Sequence, residues 1–338
     1  MLKFITKRLF QGLFVIIGIS ILIFVLSRIV PGDPARMSLG PRAPQFAVDE
    51  LRREMYLDKS LPVQYYYWFS GVIKGDFGKS INTKRPVATD VKEFLPATLE
   101  LALFSGLLLV VFSILFGLLA TRYRDTWVDG AIRIMSYTGI AIPSFVLAVL
   151  LLLLFGYIWP IVPVIGRLSS GIVAPERVTG MMVIDSLIAG NFGAAVDAIK
   201  HMLLPAIALA MGPMFQEARL LRSSLTDNSG KEYISVVTGY GIPKGKILRK
   251  YLLKPSFIPV ITVMGLDFAS LMGNAFLVER VFNWPGLSKY GINAMLNKDL
   301  NAISAVIIII GIIFLIVNIG VDLIIAYLDP RIRLGGDE

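Results

Sequence analysis

The chain has 338 residues, 55% of them hydrophobic, and a mean hydropathy of +0.71. An ordinary soluble domain is about 45–50% apolar and lacks repeated long apolar runs, so this composition excludes the soluble class. The formal charge of +9, from 33 Lys and Arg against 24 Asp and Glu, is read as membrane topology and contact with anionic lipid, not nucleic-acid binding. With no cysteine in the chain, disulfide frameworks and thiolate chemistry are excluded as well.

A helix crossing the hydrocarbon core needs about 20 apolar residues. Such runs fall at 10–30, 97–120, 134–159, 202–221, 257–278 and 302–328. Six crossings place both termini on one side. Lys3, Lys7 and Arg8 precede the first run. The run is longer than the about 7–15 residues of a signal-peptide core and lacks a small-residue cleavage pattern, so it reads as a retained anchor. Lys and Arg gather in alternate short loops, at Arg122, Arg124 and Arg133, around residues 219–254, and at Arg331 and Arg333. That bias sets the orientation, with both termini cytoplasmic in a multi-pass cell-membrane protein.

The expected organisation is an anchor helix (1–30), an external helical segment (31–96) and a five-helix core (97–338). In the external segment, FAVDELRREMY (46–56) and PVQYYYWFSGVI (62–73) are predicted helices. Tyr65, Tyr66, Tyr67 and Trp68 suit an interfacial aromatic belt. A second external stretch, 160–200, opens with Gly, Pro and Ser and closes with an amphipathic helix. Pro143 in IAIPSF interrupts the third span, a break tolerated where other helices or a cavity compensate.

Ionisable residues within spans are functional candidates. Glu100, Glu217 and Asp322 lie near span ends and read as interfacial or paired. Asp267 is deeper, with Ser270 and Asn274 at i+3 and i+7, a polar stripe that faces either a water-filled cavity or another helix. His201, the single histidine, reads as a solvated helix-end residue. Phosphate-loop, HExxH and GxSxG motifs are missing from the sequence, so nucleotide binding by a P-loop and the commonest hydrolytic sites are not expected.

Residues 226–255, TDNSGKEYISVVTGYGIPKGKILRKYLLKP, break the apolar pattern. Tyr233, Val236, Val237 and Tyr240 recur at i, i+3, i+4 and i+7, giving a short helix one apolar face. Gly239 and Gly241 stop it, and Pro243 suits the first turn of another helix. Lys231, Lys244, Lys246, Arg249, Lys250 and Lys254 surround it. A basic helical hairpin between two spans is shaped to seat in a partner protein.

Taken in order, RLFQGLFVIIGISILIFVLSRIVPGDPA, LPVQYYYWFSGVIKGDFGKS, PATLELALFSGLL, IAIPSF, GRLSSG, IDSLIAGN, HMLLPAIALA, ERVFNWPGLSKYGINAM and LDPRIR resemble the B-type permease subunit of bacterial and archaeal dipeptide/oligopeptide ABC importers. The resemblance covers almost the whole chain. It implies an all-α type I importer permease fold with six transmembrane helices. It also implies a second homologous permease chain, two cytoplasmic ABC ATPases that bind ATP and Mg, and an external substrate-binding protein. This chain would then be non-catalytic and carry no cofactor or metal of its own. The basic hairpin corresponds to the family's EAA-type coupling segment, implying ATPase contacts from Glu232, Tyr233, Val236, Val237, Tyr240, Gly241, Ile242, Pro243 and Lys244. Glu232 and Tyr233 match the family's Glu-Tyr, and Gly241 its glycine. Ser235, Val236 and Val237 replace its Glu-Ala-Ala. FNWPGL (282–287) matches an outer-side signature. Oligosaccharides, nickel complexes and glutathione are alternative cargoes for the same machinery. An ion-coupled secondary transporter is the alternative outside this class.

Overall fold

A computed structural model describes residues 2–29, 33–40 and 42–328. The expected cationic tail at Arg331 and Arg333, Pro31 and Gly32 of the PGDPA stretch, and LDPRIR beyond Leu328 lie outside them. Among the described residues the fold is all helical, with one isolated bridge between Lys79 and Pro86. The helices are α1 (Leu2–Ile29), α2 (Pro34–Leu39), α3 (Gln45–Glu54), α4 (Leu61–Ile73), α5 (Val87–Arg122), α6 (Trp127–Ala141) and α7 (Ser144–Leu153). They continue with α8 (Met182–Ile188), α9 (Phe192–Ser229), α10 (Glu232–Gly239), α11 (Lys244–Ile247), α12 (Leu253–Val281), α13 (Leu287–Leu296) and α14 (Leu300–Leu328). Single π-helical turns extend α7 through Ile158 and join α11 to α12.

Five spans are continuous and long and apolar enough to cross a membrane: α1, α5, α9, α11–α12 and α14. The sixth expected crossing is broken. α6 and the α7 rod meet at 108° across Ile142 and Pro143. The proline ring blocks the helical conformation of Ile142, whose φ and ψ of −90° and 118° are extended.

The expected spans are also shorter than the helices that carry them. α5 begins ten residues before position 97, at Val87, and α9 ten residues before position 202, at Phe192. Charged residues just inside these starts, such as Asp90, Lys92 and Glu93 in α5 and Asp197 and Lys200 in α9, hide them from a hydropathy reading. The amphipathic helix expected before residue 200 is therefore two pieces. Gly190, at φ +68°, ends α8, and the Asn191 side chain caps α9 by accepting from Ala194 N–H at 3.0 Å.

α5, α9 and α12 form the centre. Leu101, Met202, Leu209, Leu271 and Val278 are buried together between them, with Phe282 and Trp284 at one end. α1 lies outside this core against α14, and α4 crosses it. Ser20 and Tyr65 share a hydrogen bond of 2.8 Å, Arg28 Nε donates to Gln64 at 2.9 Å, and Phe24 packs on Tyr65 and Trp68. The expected aromatic belt is thus divided. Tyr65 and Trp68 hold α1, while Tyr66 and Tyr67 face outward.

Candidate functional site: the α10–α11 hairpin and the cleft at the broken span

α9 and α12 converge at the root of the hairpin. Buried Asn228 donates to the Ser224 carbonyl at 2.9 Å and to Ser256 Oγ at 3.0 Å, tying the last turn of α9 to the first turn of α12. From there the chain turns through Gly230 and Lys231 into α10. Glu232 in the first turn favours the helix's positive end. α10 closes with Tyr240 N–H on Val236 O at 3.1 Å, Gly241 N–H on Thr238 O at 2.9 Å, and Ile242 N–H on Val237 O at 3.3 Å. Gly241 holds φ at +71°, a left-handed conformation that a side chain disfavours. Pro243 caps α11 instead of occupying its first turn.

Ile234 and Ile247 are the buried anchors of the hairpin. The expected face points away from them. Tyr233 is 40% exposed, Val236 56% and Tyr240 82%, so the described residues leave most of the apolar stripe uncovered. Val237 and Ile242 are half-buried, while Glu232, Gly241, Pro243 and Lys244 are exposed, as are all six flanking cations.

A cleft of about 510 Å³ opens where the broken span meets α9 and α12. Its walls include Gly139, Pro143, Gly212, Gln216 and Asn274. Gly139 and Gly212 lie with backbones in contact, since a Cβ on Gly212 would sit 2.9 Å from the Gly139 carbonyl. α6 can therefore approach α9 only where both lack side chains.

Of the expected polar stripe, Asn274 lines this cleft. Ser270 spends its hydroxyl on the Leu266 carbonyl of its own helix at 2.8 Å. Asp267 turns instead to Glu217 on α9, which is fully buried and not interfacial. Asp322 pairs with Arg8 at 3.1 Å, and Glu100 with Arg167. His201 is 3% exposed and lies 2.9 Å from the Asp197 carbonyl. It is a packed residue, and the expectation of a solvated one is corrected. Among the described residues no three His, Cys, Asp or Glu side chains gather as a metal site.

Sequence reasoning missed the polar lock at the end far from the hairpin. Glu279 of α12 accepts from Thr98 Oγ1 at 2.5 Å and Lys289 N–H at 2.8 Å, so a buried carboxylate caps α13. Trp284 Nε1 donates to the Ala97 carbonyl at 2.9 Å, and Leu287 N–H to Thr98 Oγ1 at 2.7 Å. The FNWPGL stretch is thus a tightly bonded corner between α5, α12 and α13. Beside it, Asp90 takes Arg85 at 2.6 Å and Tyr290 at 3.0 Å, and Ser80 bonds Asp299 at 2.5 Å.

Long apolar spans, one of them broken beside a cleft, and an exposed apolar hairpin between two of them describe a multi-pass membrane component. The chain belongs to the family described as the binding-protein-dependent transport system inner membrane component, which matches residues 113–334, with that system's N-terminal membrane component at residues 1–102. It is 36% identical over 332 residues to the probable D,D-dipeptide transport system permease of Escherichia coli strain K12, covering 98% of each chain. It is 32% identical over 335 residues to the dipeptide transport system permease of Alkalihalophilus pseudofirmus, covering 98% of this chain and 100% of that one. A glutathione transport system permease of Salmonella choleraesuis is 30% identical over 334 residues, at 98% and 99% coverage. The protein is therefore a multi-pass inner-membrane component of a binding-protein-dependent importer.

Proposed function

We propose that this chain is the non-catalytic permease subunit of an ATP-driven importer of di- and oligopeptides, and that α10 and α11 seat in cytoplasmic ATPase subunits. The observation that carries the reading is the outward apolar stripe of Tyr233, Val236 and Tyr240 on a helix anchored from behind by Ile234 and Ile247. Solvent exposure of that stripe is unfavourable, and a docking partner would remove it. Permeases named for dipeptides among the similar proteins support the cargo.

Nucleotide changes the affinity of two ATPases for each other, and only such differential binding can shift a conformational equilibrium. Closing ATPases would draw together the hairpins of this chain and a second permease. Through the Asn228–Ser256 root that movement reaches α9 and α12, which wall the cleft. In this arrangement ATP and Mg are bound by the ATPases, an external binding protein delivers cargo, and both termini are cytoplasmic. Residues 1–30 anchor the chain, 31–96 form its external segment, and 97–338 its transport core.

The test is extraction of the tagged chain in mild detergent, followed by identification of bound proteins and assay of the reconstituted complex with labelled dipeptide. Two Walker-motif ATPases, a second permease and ATP-dependent dipeptide uptake are expected. A lone homo-oligomer, or uptake driven by an ion gradient without ATP, would overturn the reading. Uptake of glutathione in place of dipeptides would reassign the cargo and leave the machinery.

A further inference from the structure

Glu217 on α9 is fully buried, and neither of its carboxyl oxygens, nor Oδ2 of Asp267 on α12, meets a hydrogen-bond donor among the described residues. What faces each carboxyl is the other, within hydrogen-bonding reach across the α9–α12 contact. No other titratable group acts on either from α5, α6, α7 or α14, the further helices packed around them. The cations of this region are committed elsewhere. Arg222 pairs with Asp129, Arg219 lies over the Tyr137 ring, and Arg8 pairs with Asp322.

Two ionised carboxylates offer each other only acceptors, and they repel where fully buried Glu217 meets part-buried Asp267. A proton on one turns the clash into an O–H···O bond, and the two then titrate as a pair. A hard cation such as calcium needs six or more oxygen ligands, and among the described residues no third acidic side chain joins this pair.

We propose that Glu217 and Asp267 form a binding site for one proton, held between α9 and α12, which fastens together the two helices from which the hairpin hangs. Glu217 precedes the hairpin and Asp267 follows it, each in the span that continues directly from the hairpin's root. With the proton in place the two spans move as one body, so displacement of the hairpin is passed inward. When the proton leaves, two like charges face each other in a buried site and the spans separate. The site needs no second permease and no ATPase, so it stands or falls on this chain alone, independently of the transport reading.

The experiment uses the full chain in lipid nanodiscs, with Asp and Glu carbon-13-labelled at the side-chain carboxyl, and infrared spectroscopy across pH. The difference between wild type and E217Q at neutral pH should contain one protonated-carboxyl C=O band, and D267N should remove the same band. In each variant the amide donates N–H to the remaining carboxylate and displaces the proton. Raising pH should abolish the band in wild type. Thermal stability should fall over the same pH range, and E217Q should lose that fall. Difference spectra without the band overturn the proposal. So does loss of the band on adding sodium or potassium at constant pH, which would make the ligand a metal cation. Should the amide variants fail to fold, D267E keeps both carboxyls and must shift the band in frequency; an unshifted spectrum overturns the proposal equally.

Discussion

Asp129 is fully buried near the start of α6, where Arg222 reaches it from α9. Nε and Nη2 of that one guanidinium approach its two oxygens, each at 2.6 Å, and Arg133 adds a second cation at 3.6 Å. Removing one partner of a buried pair strands the other charge, at a cost of about 3–5 kcal/mol, whereas replacing both with apolar residues is often neutral. D129A should therefore unfold at markedly lower denaturant or temperature, and D129L/R222M should recover most of the loss in the same assay. Gly241 is a different case, because space is not its constraint. An added Cβ would meet nothing within 4 Å, but φ is +71°. The left-handed conformation costs a side chain about 1–2 kcal/mol, enough to reshape the Tyr240–Pro243 turn without touching the bundle. G241L should leave insertion and the melting temperature intact and lower the ratio of peptide uptake to ATP hydrolysis in the reconstituted importer. Uptake at the wild-type ratio would remove this turn from the coupling path. Asp185 carries the pH argument. Burial alone would raise its pKa, but Thr179 Oγ1 and N–H at 2.7 Å and Gly180 N–H at 2.9 Å prevail and hold it below the usual carboxylate value. A depressed folded pKa adds stability above the unfolded value that is lost as pH falls through the folded one. Amide exchange at Thr179 and Gly180 should accordingly lose its protection on acidification. D185N should weaken that protection at neutral pH by about 1.5–3 kcal/mol, the worth of bonds to a charged group.

Among the elements, α13 shows how a short helix is fixed. Its first turn receives the Glu279 carboxylate, and the corner before it inserts Trp284, 1% exposed, against Ala97 and beneath the Arg167 guanidinium. Truncating a buried aromatic costs about 3–5 kcal/mol, so W284A should expose α13 to hydrogen exchange before the α9–α12 pair opens. W284F should cost less, because it leaves the Ala97 carbonyl unpaired but keeps most of the packing. This corner was visible in the sequence only as a resemblance. What it does rests on contacts across more than 180 positions, between Trp284 or Leu287 and Ala97 or Thr98, and no local pattern encodes them. Long apolar runs mark α1 and α14 well, whereas α5 and α9 are legible only in their interiors, since Asp90, Lys92 and Glu93 in one and Asp197 and Lys200 in the other interrupt the hydropathy signal near their starts. The hairpin was the opposite case. Periodicity at Tyr233, Val236, Val237 and Tyr240, with Gly241 and Pro243 as punctuation, placed both short helices. Periodicity gives the apolar face but not its direction, because the same stripe serves burial or display; that it points toward a partner rests on the hairpin's basic setting between two spans and on the resemblance. Asp267 likewise stands out by depth, while its partner Glu217 reads only as interfacial or paired, because position along a helix says nothing of which neighbour is opposite.

At the scale of the whole molecule, large apolar side chains along α1, such as Phe10, Leu13, Phe14 and Leu22, are half or more exposed, while α5, α9 and α12 enclose the buried centre. Lipid accounts for such a periphery, since association of spans depends on close packing and polar bonds more than on apolar burial. The polar bonds lie at two levels. The Glu279, Asp90 and Asp299 networks brace the end that holds α13, and Asn228 with Ser256 braces the end that holds the hairpin. Braced ends and a cleft between them suit a body that rocks about its middle. This makes the sidedness of the two ends decisive, and the cysteine-free sequence offers a direct measurement. Single cysteines replacing Tyr240, 82% exposed on the hairpin, and Val173, 79% exposed in the loop before α8, would be the only thiols in the chain. In oriented inner-membrane vesicles, an impermeant maleimide should label Y240C from the cytoplasmic face alone and V173C from the opposite face alone. Adding the partner ATPases should slow Y240C labelling several-fold and leave V173C unchanged. Labelling of Y240C from the outer face and V173C from the cytoplasmic face would reverse the orientation argued from the loop charges. Labelling of both from one face would contradict the crossing by α9 between them, and unchanged Y240C labelling with ATPases bound would place their docking surface away from the α10 stripe.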